Sequence, residues 1–374
     1  MNRRHFVQRA VGSAAALALP AFAQGTRIVL GQSAAFSGPA AQLGIQMNRG
    51  ARIYFDALNA QGGVNGNPIE LRTLDDGYEP ERCKANTEKF INDNAFALFG
   101  YVGTPTCVAA LPLAEEAKIP FFGPFTGAQA LREPFNRSVF HLRASYYDET
   151  ALIVRQLTSL GLKKIAVFYQ DDAYGKAGLE GVRRGLKTYG LEPVALGTVA
   201  RNTVDIAAAV QAITPAMPDA IVQIGAYKAC AAFIRAARKA GFGGTFFNVS
   251  FVGTQALADE LGKEGQGIVV SQVMPFPFST TTPISREYLE AVRKAGDNAQ
   301  PNYSSMEGYL AAKVITEGLK RAGRNPSRDT LVSGLESIQK ADFGGFSVNF
   351  GARDHVASHF VDLSMLTGDG KVRR

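Results

Sequence analysis

Two short hydroxyl-bearing loops are the strongest candidates for chemistry in this chain. Gly103-Thr104-Pro105-Thr106 and Gly123-Pro124-Phe125-Thr126-Gly127 each follow a brief apolar run, Phe96 to Tyr101 and Ile119 to Phe122. Apolar runs of this length, bounded by glycine or proline, read as buried parallel strands. Each strand then opens a helix, with Thr104 placed to cap the first and Pro105 suited to its first turn. Two helix N-termini side by side at the C-terminal edge of one sheet present free backbone N–H groups and small hydroxyls. That combination is an anion site, and a carboxylate fits it.

Catalytic constellations are missing by comparison. The first strand-to-helix turn reads Gly31-Gln32-Ser33-Ala34-Ala35-Phe36-Ser37-Gly38 instead of G-x-G-x-x-G, and no Gly-Lys-Ser/Thr phosphate loop occurs. Val249-Ser250-Phe251 lacks both glycines of a hydrolase elbow. His355 and His359 stand i,i+4 but have no acid between them, and with His141 they read as surface or structural histidines. No nucleophile meets a base, no spacing suggests a metal and no cofactor motif appears. The expectation is a binding protein without enzymatic activity.

The chain has 374 residues, enough for two domains, with 46% hydrophobic and 20% charged residues, an ordinary globular composition. Its N-terminus differs: Arg3-Arg4-His5-Phe6 precedes an apolar run from Ala10 to Phe22 that ends in Ala21-Phe22-Ala23. A basic start, a short apolar core and an A-x-A site make an export signal over residues 1–23, and the paired arginines suggest the twin-arginine type. The run is too short to span a bilayer. Its removal takes away Arg3, Arg4 and Arg9, lowering the formal net charge from +7 to +4. That weak excess, without a lysine or arginine cluster, gives no case for nucleic acid.

Strands and helices alternate along the rest of the chain. Strands are expected at Ile28 to Gly31 and Ile69 to Leu74, with helices at Ala40 to Asn59 and from Pro80 to about Asn92. Right-handed crossovers then build a mostly parallel sheet with helices on both faces. A second set follows residue 143, with strands at Ile165 to Tyr169, Pro193 to Leu196, Ile221 to Ile224 and Thr245 to Phe247. Between these strands, helices begin near Thr150, Lys176, Val204, Ala229 and Gln255. The chain is therefore α/β, with two doubly wound parallel-sheet lobes.

The same stretches resemble the Leu/Ile/Val-binding branch of the type I periplasmic binding proteins, the solute-binding subunits of ATP-driven (ABC) importers. The resemblance includes Ala35-Phe36-Ser37-Gly38-Pro39 with Gln42-Leu43-Gly44, the turn Gly62-Gly63-Val64-Asn65-Gly66, the pair Asp75-Asp76, and Asp171-Asp172-Ala173-Tyr174-Gly175, and it covers nearly all of the chain after residue 24. It implies two lobes joined by a three-stranded hinge, with crossings near 142–145, 271–275 and 345–349. Lobe 1 would take 24–143 plus 274–346, and lobe 2 would take 144–273 plus 347–374. It further implies a monomer in the periplasm that closes on a small carboxylate or amino acid and delivers it to a membrane permease. A ligand-sensing module of the same fold is the alternative.

The resemblance also carries site residues. The ligand head group would be held by Thr104 and by Phe125, Thr126 and Gly127. Tyr174 would close from the second lobe, Tyr227 would follow the strand 221–224, and Leu43 and Tyr303 would line the wall. Ser250 stands where relatives that bind leucine carry a glutamate facing the ligand ammonium, so either Asp172 or Glu307 substitutes or the ligand has no amine. Cys83 and Cys107 fall early in neighbouring helices, which permits a disulfide in an oxidising compartment. The family often bridges these segments, at positions that here are Tyr78 and Gly103.

Overall fold

The computed structural model describes residues 26–296 and 299–374, so the expected export signal lies outside the described residues. The first lobe opens with β1 (Ile28–Ala34), α1 (Ala41–Ala60), β2 (Ile69–Asp75), α2 (Pro80–Asn92), β3 (Ala97–Phe99), α3 (Thr104–Glu116), β4 (Phe121–Phe122) and β5 (Val139–Phe140). Its five strands run parallel in the order β2-β1-β3-β4-β5. β3 and β4 are buried along their whole length because helices cover both faces, which is why they read as unbroken apolar runs.

The chain then enters the second lobe with α4 (Tyr146–Ser159), β6 (Ile165–Gln170), α5 (Ala173–Lys187), β7 (Leu196–Val199), α6 (Ala207–Ile213), β8 (Ala220–Ile224), α7 (Tyr227–Lys239), β9 (Thr245–Asn248), α8 (Thr254–Leu261) and β10 (Val269–Gln272). It returns to the first lobe for α9 (Pro283–Lys294), α10 (Tyr303–Ala322) and α11 (Arg328–Glu336), followed by the antiparallel pair β11 (Ala341–Asp342) and β12 (Ser347–Val348). β13 (Asp362–Leu366) and β14 (Val372–Arg373) complete the second sheet, whose order is β14-β13-β10-β9-β8-β6-β7 with the last two strands of the chain antiparallel.

Local chemistry moves several boundaries from their expected places. α4 begins at Tyr146 instead of Thr150, because Ser145 accepts the Asp148 N–H while the Asp148 carboxylate accepts the Ser145 N–H, a reciprocal capping box. α5 begins at Ala173 because Asp172 accepts the N–H groups of Tyr174 and Gly175. β7 covers Leu196–Val199, not Pro193 to Leu196: Pro193 offers no N–H to a ladder, and pairing with β6 starts at Val167 opposite Leu196.

The third passage between lobes also lies later than expected. Phe350 packs edge-on against Phe122 and Phe140, with ring centroids 6.5 and 5.2 Å apart, so the chain beyond residue 346 still covers the first sheet. It then pairs with the first passage: the His141 N–H donates to the His355 carbonyl and the Ala357 N–H to the His141 carbonyl, both at 2.8 Å. His355 stacks on Phe140 at 3.8 Å, a structural role.

Cys83 and Cys107 do not form the bridge that their positions permit. Both are free and fully buried, packed with Phe90, Leu98 and Tyr101 in a small cluster of the first lobe. Burial pushes both thiols well above their ordinary range, which withholds the thiolate that oxidation requires.

Candidate functional site

At the N-terminus of α3 the two hydroxyl loops meet. Gly103, not Thr104, is the N-cap, with φ of 104°, and no side chain caps the helix. Glycine is required there twice over, since a Cβ would take the left-handed backbone out of its easy range and would sit 2.2 Å from the Tyr78 ring. Thr104 thereby becomes the first helical residue and is released from capping. Its hydroxyl lies 2.6 Å from that of Thr126, which donates to the Tyr146 hydroxyl at 3.3 Å. Thr106 turns back to the Val102 and Gly103 carbonyls and has no part in the cleft. Gly127 faces Tyr146 so closely that a Cβ would stand 2.7 Å from its ring.

An aromatic cluster seals this spot from the opposite lobe. Phe251 lies 5.8 Å from Tyr78, 5.7 Å from Phe125 and 4.6 Å from Tyr174, and Tyr146 lies 5.4 Å from Tyr174. All five are fully buried. Tyr78 and Phe125 belong to the first lobe, and Phe251 and Tyr174 to the second, so their burial is realised only when the lobes meet. A fully buried phenyl ring is worth about 2 kcal/mol or more, a direct stabilisation of the closed arrangement. The Tyr174 hydroxyl has no hydrogen-bond partner, and burial pushes its pKa well up, so it stands as a neutral phenol.

Beneath the cluster runs a buried charge network. Burial opposes the Arg143 charge, but Glu307 overrides it and the guanidinium stays protonated. Arg143 also donates to the Ser250 hydroxyl at 3.2 Å and lies 4.2 Å over the Phe125 ring. Glu149 accepts the Ser250 N–H at 2.7 Å, the Ser250 hydroxyl at 3.0 Å and the Ser271 hydroxyl at 2.6 Å. Burial raises the Glu149 pKa, against the pull of Arg143. Arg132 ties the loop 123–127 to the first hinge passage by donating to the carbonyls of Thr126, Arg143 and Ala144. Burial, then the Arg143 charge, lower its pKa to about 10.

Leu43 lies against Gly253 of the second lobe and so stands at the interlobe contact, and Tyr227 is buried at the first position of α7. Tyr303 borders a residual cavity of about 10 Å³ with Phe125, Arg143, Ser250 and Glu307. A larger depression of about 780 Å³ lies between α1 and α9, away from these groups. At the rim, Arg201 of the second lobe donates to Glu79 at 2.8 Å, and Asn202 donates to Glu79 at 2.7 Å and to the Gly77 carbonyl at 2.9 Å. Among the described residues no group of His, Cys, Asp and Glu side chains is arranged to hold a metal.

Sequence reasoning missed Arg143, Tyr146, Glu149, Phe251 and Tyr78. Arg143 lies in the first crossing and Tyr146 directly after it, which was the only available signal. Asp172, considered as a substitute acid, is instead the cap of α5 and a partner of Arg201. Glu307 does lie beside Ser250, already held by Arg143.

A family model described as periplasmic binding protein matches residues 27–371. The chain belongs to the periplasmic binding protein family. It is 28% identical over 334 residues to a protein named Leu/Ile/Val-binding protein homolog 7 of Brucella abortus, covering 85% of this chain and 82% of that one. Among solved structures, a possible leucine/isoleucine/valine-binding protein from Rhodopirellula baltica shares 35% identity with a TM-score of 0.89, covering 94% of this chain and 96% of its own. A substrate-binding periplasmic protein from Ralstonia solanacearum shares 33% identity with a TM-score of 0.87, covering 92% and 99%. This periplasmic binding protein thus has the two-lobed α/β fold of the Leu/Ile/Val-binding type. The family consists of solute-binding proteins that work with ABC transporters, not of enzymes, and membership implies a periplasmic location.

Proposed function

We propose that this protein captures a small carboxylate between its lobes and delivers it, as a monomer, to the membrane permease of an ABC importer. The observation that carries the reading is the pair of hydroxyls of Thr104 and Thr126, 2.6 Å apart at the N-terminus of α3, with the unpartnered Tyr174 hydroxyl in the same closed cleft. Hydroxyls reorient freely, so both can turn their hydrogens onto an arriving carboxylate, aided by the positive end of the helix. The names of the Brucella and Rhodopirellula relatives support a branched-chain amino acid as one ligand class.

A specific observation favours an acid without an α-amine. Ser250 supplies no negative charge, and the two buried acids beside it are engaged: Glu307 by Arg143 through two bonds, Glu149 by three donors. A desolvated ammonium with no acid free to meet it is disfavoured by several kcal/mol, on the order of the cost of an unpaired buried charge. Calorimetry with leucine, phenylalanine, benzoate and a branched 2-oxo acid tests both parts. The acids without an amine are expected to bind more tightly, and tight binding of an amine that lacks a carboxylate would overturn the reading. Removal of residues 1–23 on export belongs to the same proposal, and the mass of the secreted protein checks it.

A further inference from the structure

Phe251 sits on the turn Ser250–Val252 directly after β9, at the carboxyl edge of the second sheet. It is fully buried, yet two of the three rings it touches, Tyr78 and Phe125, belong to the other lobe. A ring buried by the opposite lobe is part of the cleft wall and not of its own lobe's core. Its turn is held firmly: Gly253 closes it at φ +81°, and Leu43 comes within 2.5 Å of where a Cβ on Gly253 would be. Phe125, the neighbour of Thr126, touches the Phe251 ring on one side, and Tyr174 touches it on another. An apolar tail that extends from a head group at Thr104 and Thr126 toward the Tyr174 hydroxyl must therefore share its space with this ring.

We propose that Phe251 is the specificity-determining residue of the cleft, setting how large and how flat a ligand tail is accepted; this rests on the carboxylate reading above. Phenylalanine has only two side-chain torsions, and three aromatic neighbours fix them, so the ring is a rigid stop. Short or planar acids that stack against it are admitted, and long tails are turned away.

The test is competitive calorimetry of the purified protein with benzoate, phenylacetate, 3-phenylpropanoate and linear acids of increasing length, repeated with Phe251→Ala and Phe251→Leu. The expected result is a shift of the preferred acid toward longer tails, with the long-to-short affinity ratio rising at least tenfold in Phe251→Ala and less in Phe251→Leu. Phe251→Leu keeps most of the buried volume and carries the test if the alanine variant does not fold. An unchanged rank order in the folded variants would overturn the role of Phe251 while leaving the carboxylate reading intact. Failure of the unsubstituted protein to bind any of these acids would instead overturn the carboxylate reading, and this inference with it.

Discussion

Arg143 grips Glu307 through two hydrogen bonds, Nε to Oε1 at 2.8 Å and Nη2 to Oε2 at 2.6 Å, with 1% and 3% of the two side chains exposed. Arg143 comes from the first hinge passage and Glu307 from α10, so the pair fastens the hinge to the first lobe. Its third nitrogen reaches Ser250 in the second lobe.

Glu307→Gln leaves a guanidinium buried without its counter-charge and is expected to destabilise the fold by about 3–5 kcal/mol. Chemical denaturation measures it. Arg143→Met combined with Glu307→Leu removes both charges and should recover most of that loss; a double variant as unstable as Glu307→Gln would show that the charge imbalance is not the cause.

Arg201 of the second lobe bridges to Glu79 of the first while also facing Asp172, with Glu79 more than a third exposed. Such a pair is worth only about 1 kcal/mol or less. Arg201→Ala should therefore weaken the affinity for a bound acid by up to about fivefold and enlarge the radius of gyration measured by small-angle scattering. High salt should produce part of the same effect in the unsubstituted protein. No change in either quantity would mean that the rim contact does not hold the lobes together.

Thr104→Val keeps the shape of the side chain and removes its hydroxyl. If that hydroxyl meets a carboxylate oxygen, affinity falls by about 1–3 kcal/mol. Gly103, not Thr104, occupies the cap of α3, so the melting temperature without added acid should move little. A large drop in stability with unchanged affinity would reverse the assignment.

Asp76 is fully buried, and burial raises its pKa to about 6, opposed by the hydrogen bonds from Ser33 and the Tyr78 N–H. Folding thus favours its neutral form. Its contribution is complete below the unfolded value of 3.8 and is lost as pH rises through about 6. Asp75 has the opposite sign, with a pKa lowered to about 2, so its contribution is lost only as pH falls below the ordinary carboxylate range. Asp76→Asn should match the parent near pH 4 and exceed it at pH 7 by up to about 3 kcal/mol, because the carboxyl must be ionised at a cost of about 1.4 kcal/mol for each pH unit separating its folded and unfolded midpoints. Denaturation curves at the two pH values check this, and a variant weaker at both would refute it.

Much of the fold was legible in order and type because a buried parallel strand leaves an apolar run and a covering helix leaves a periodic one. Boundaries set by side-chain caps were less legible: the capping box of Ser145 and Asp148 extends α4, and the missing N–H of Pro193 delays β7. The site was half legible. Thr104 and Thr126 belong to loops whose place at a sheet edge follows from local pattern, and the structure brings them together. Only the first loop opens a helix, however; the second is followed by the short turn Gln129–Leu131 instead of the expected second helix N-terminus. Phe251, Glu149 and Arg143 carry no such mark, since an aromatic, an acid and an arginine in those positions look like ordinary core and surface residues.

By itself, the sequence determined the alternation of strand and helix, and hence two parallel-sheet lobes with small hydroxyl loops at one edge, because each of these depends on residues a few positions apart. Only the tertiary structure decided that Glu307, more than a hundred and fifty positions from Arg143, would neutralise it. It alone also decided that the rings of two lobes would close over Thr104 and that Cys83 and Cys107 would be buried apart from any bond. The reason is that pairing, desolvation and burial are properties of neighbours in space, which the hinge brings together and no local spacing encodes.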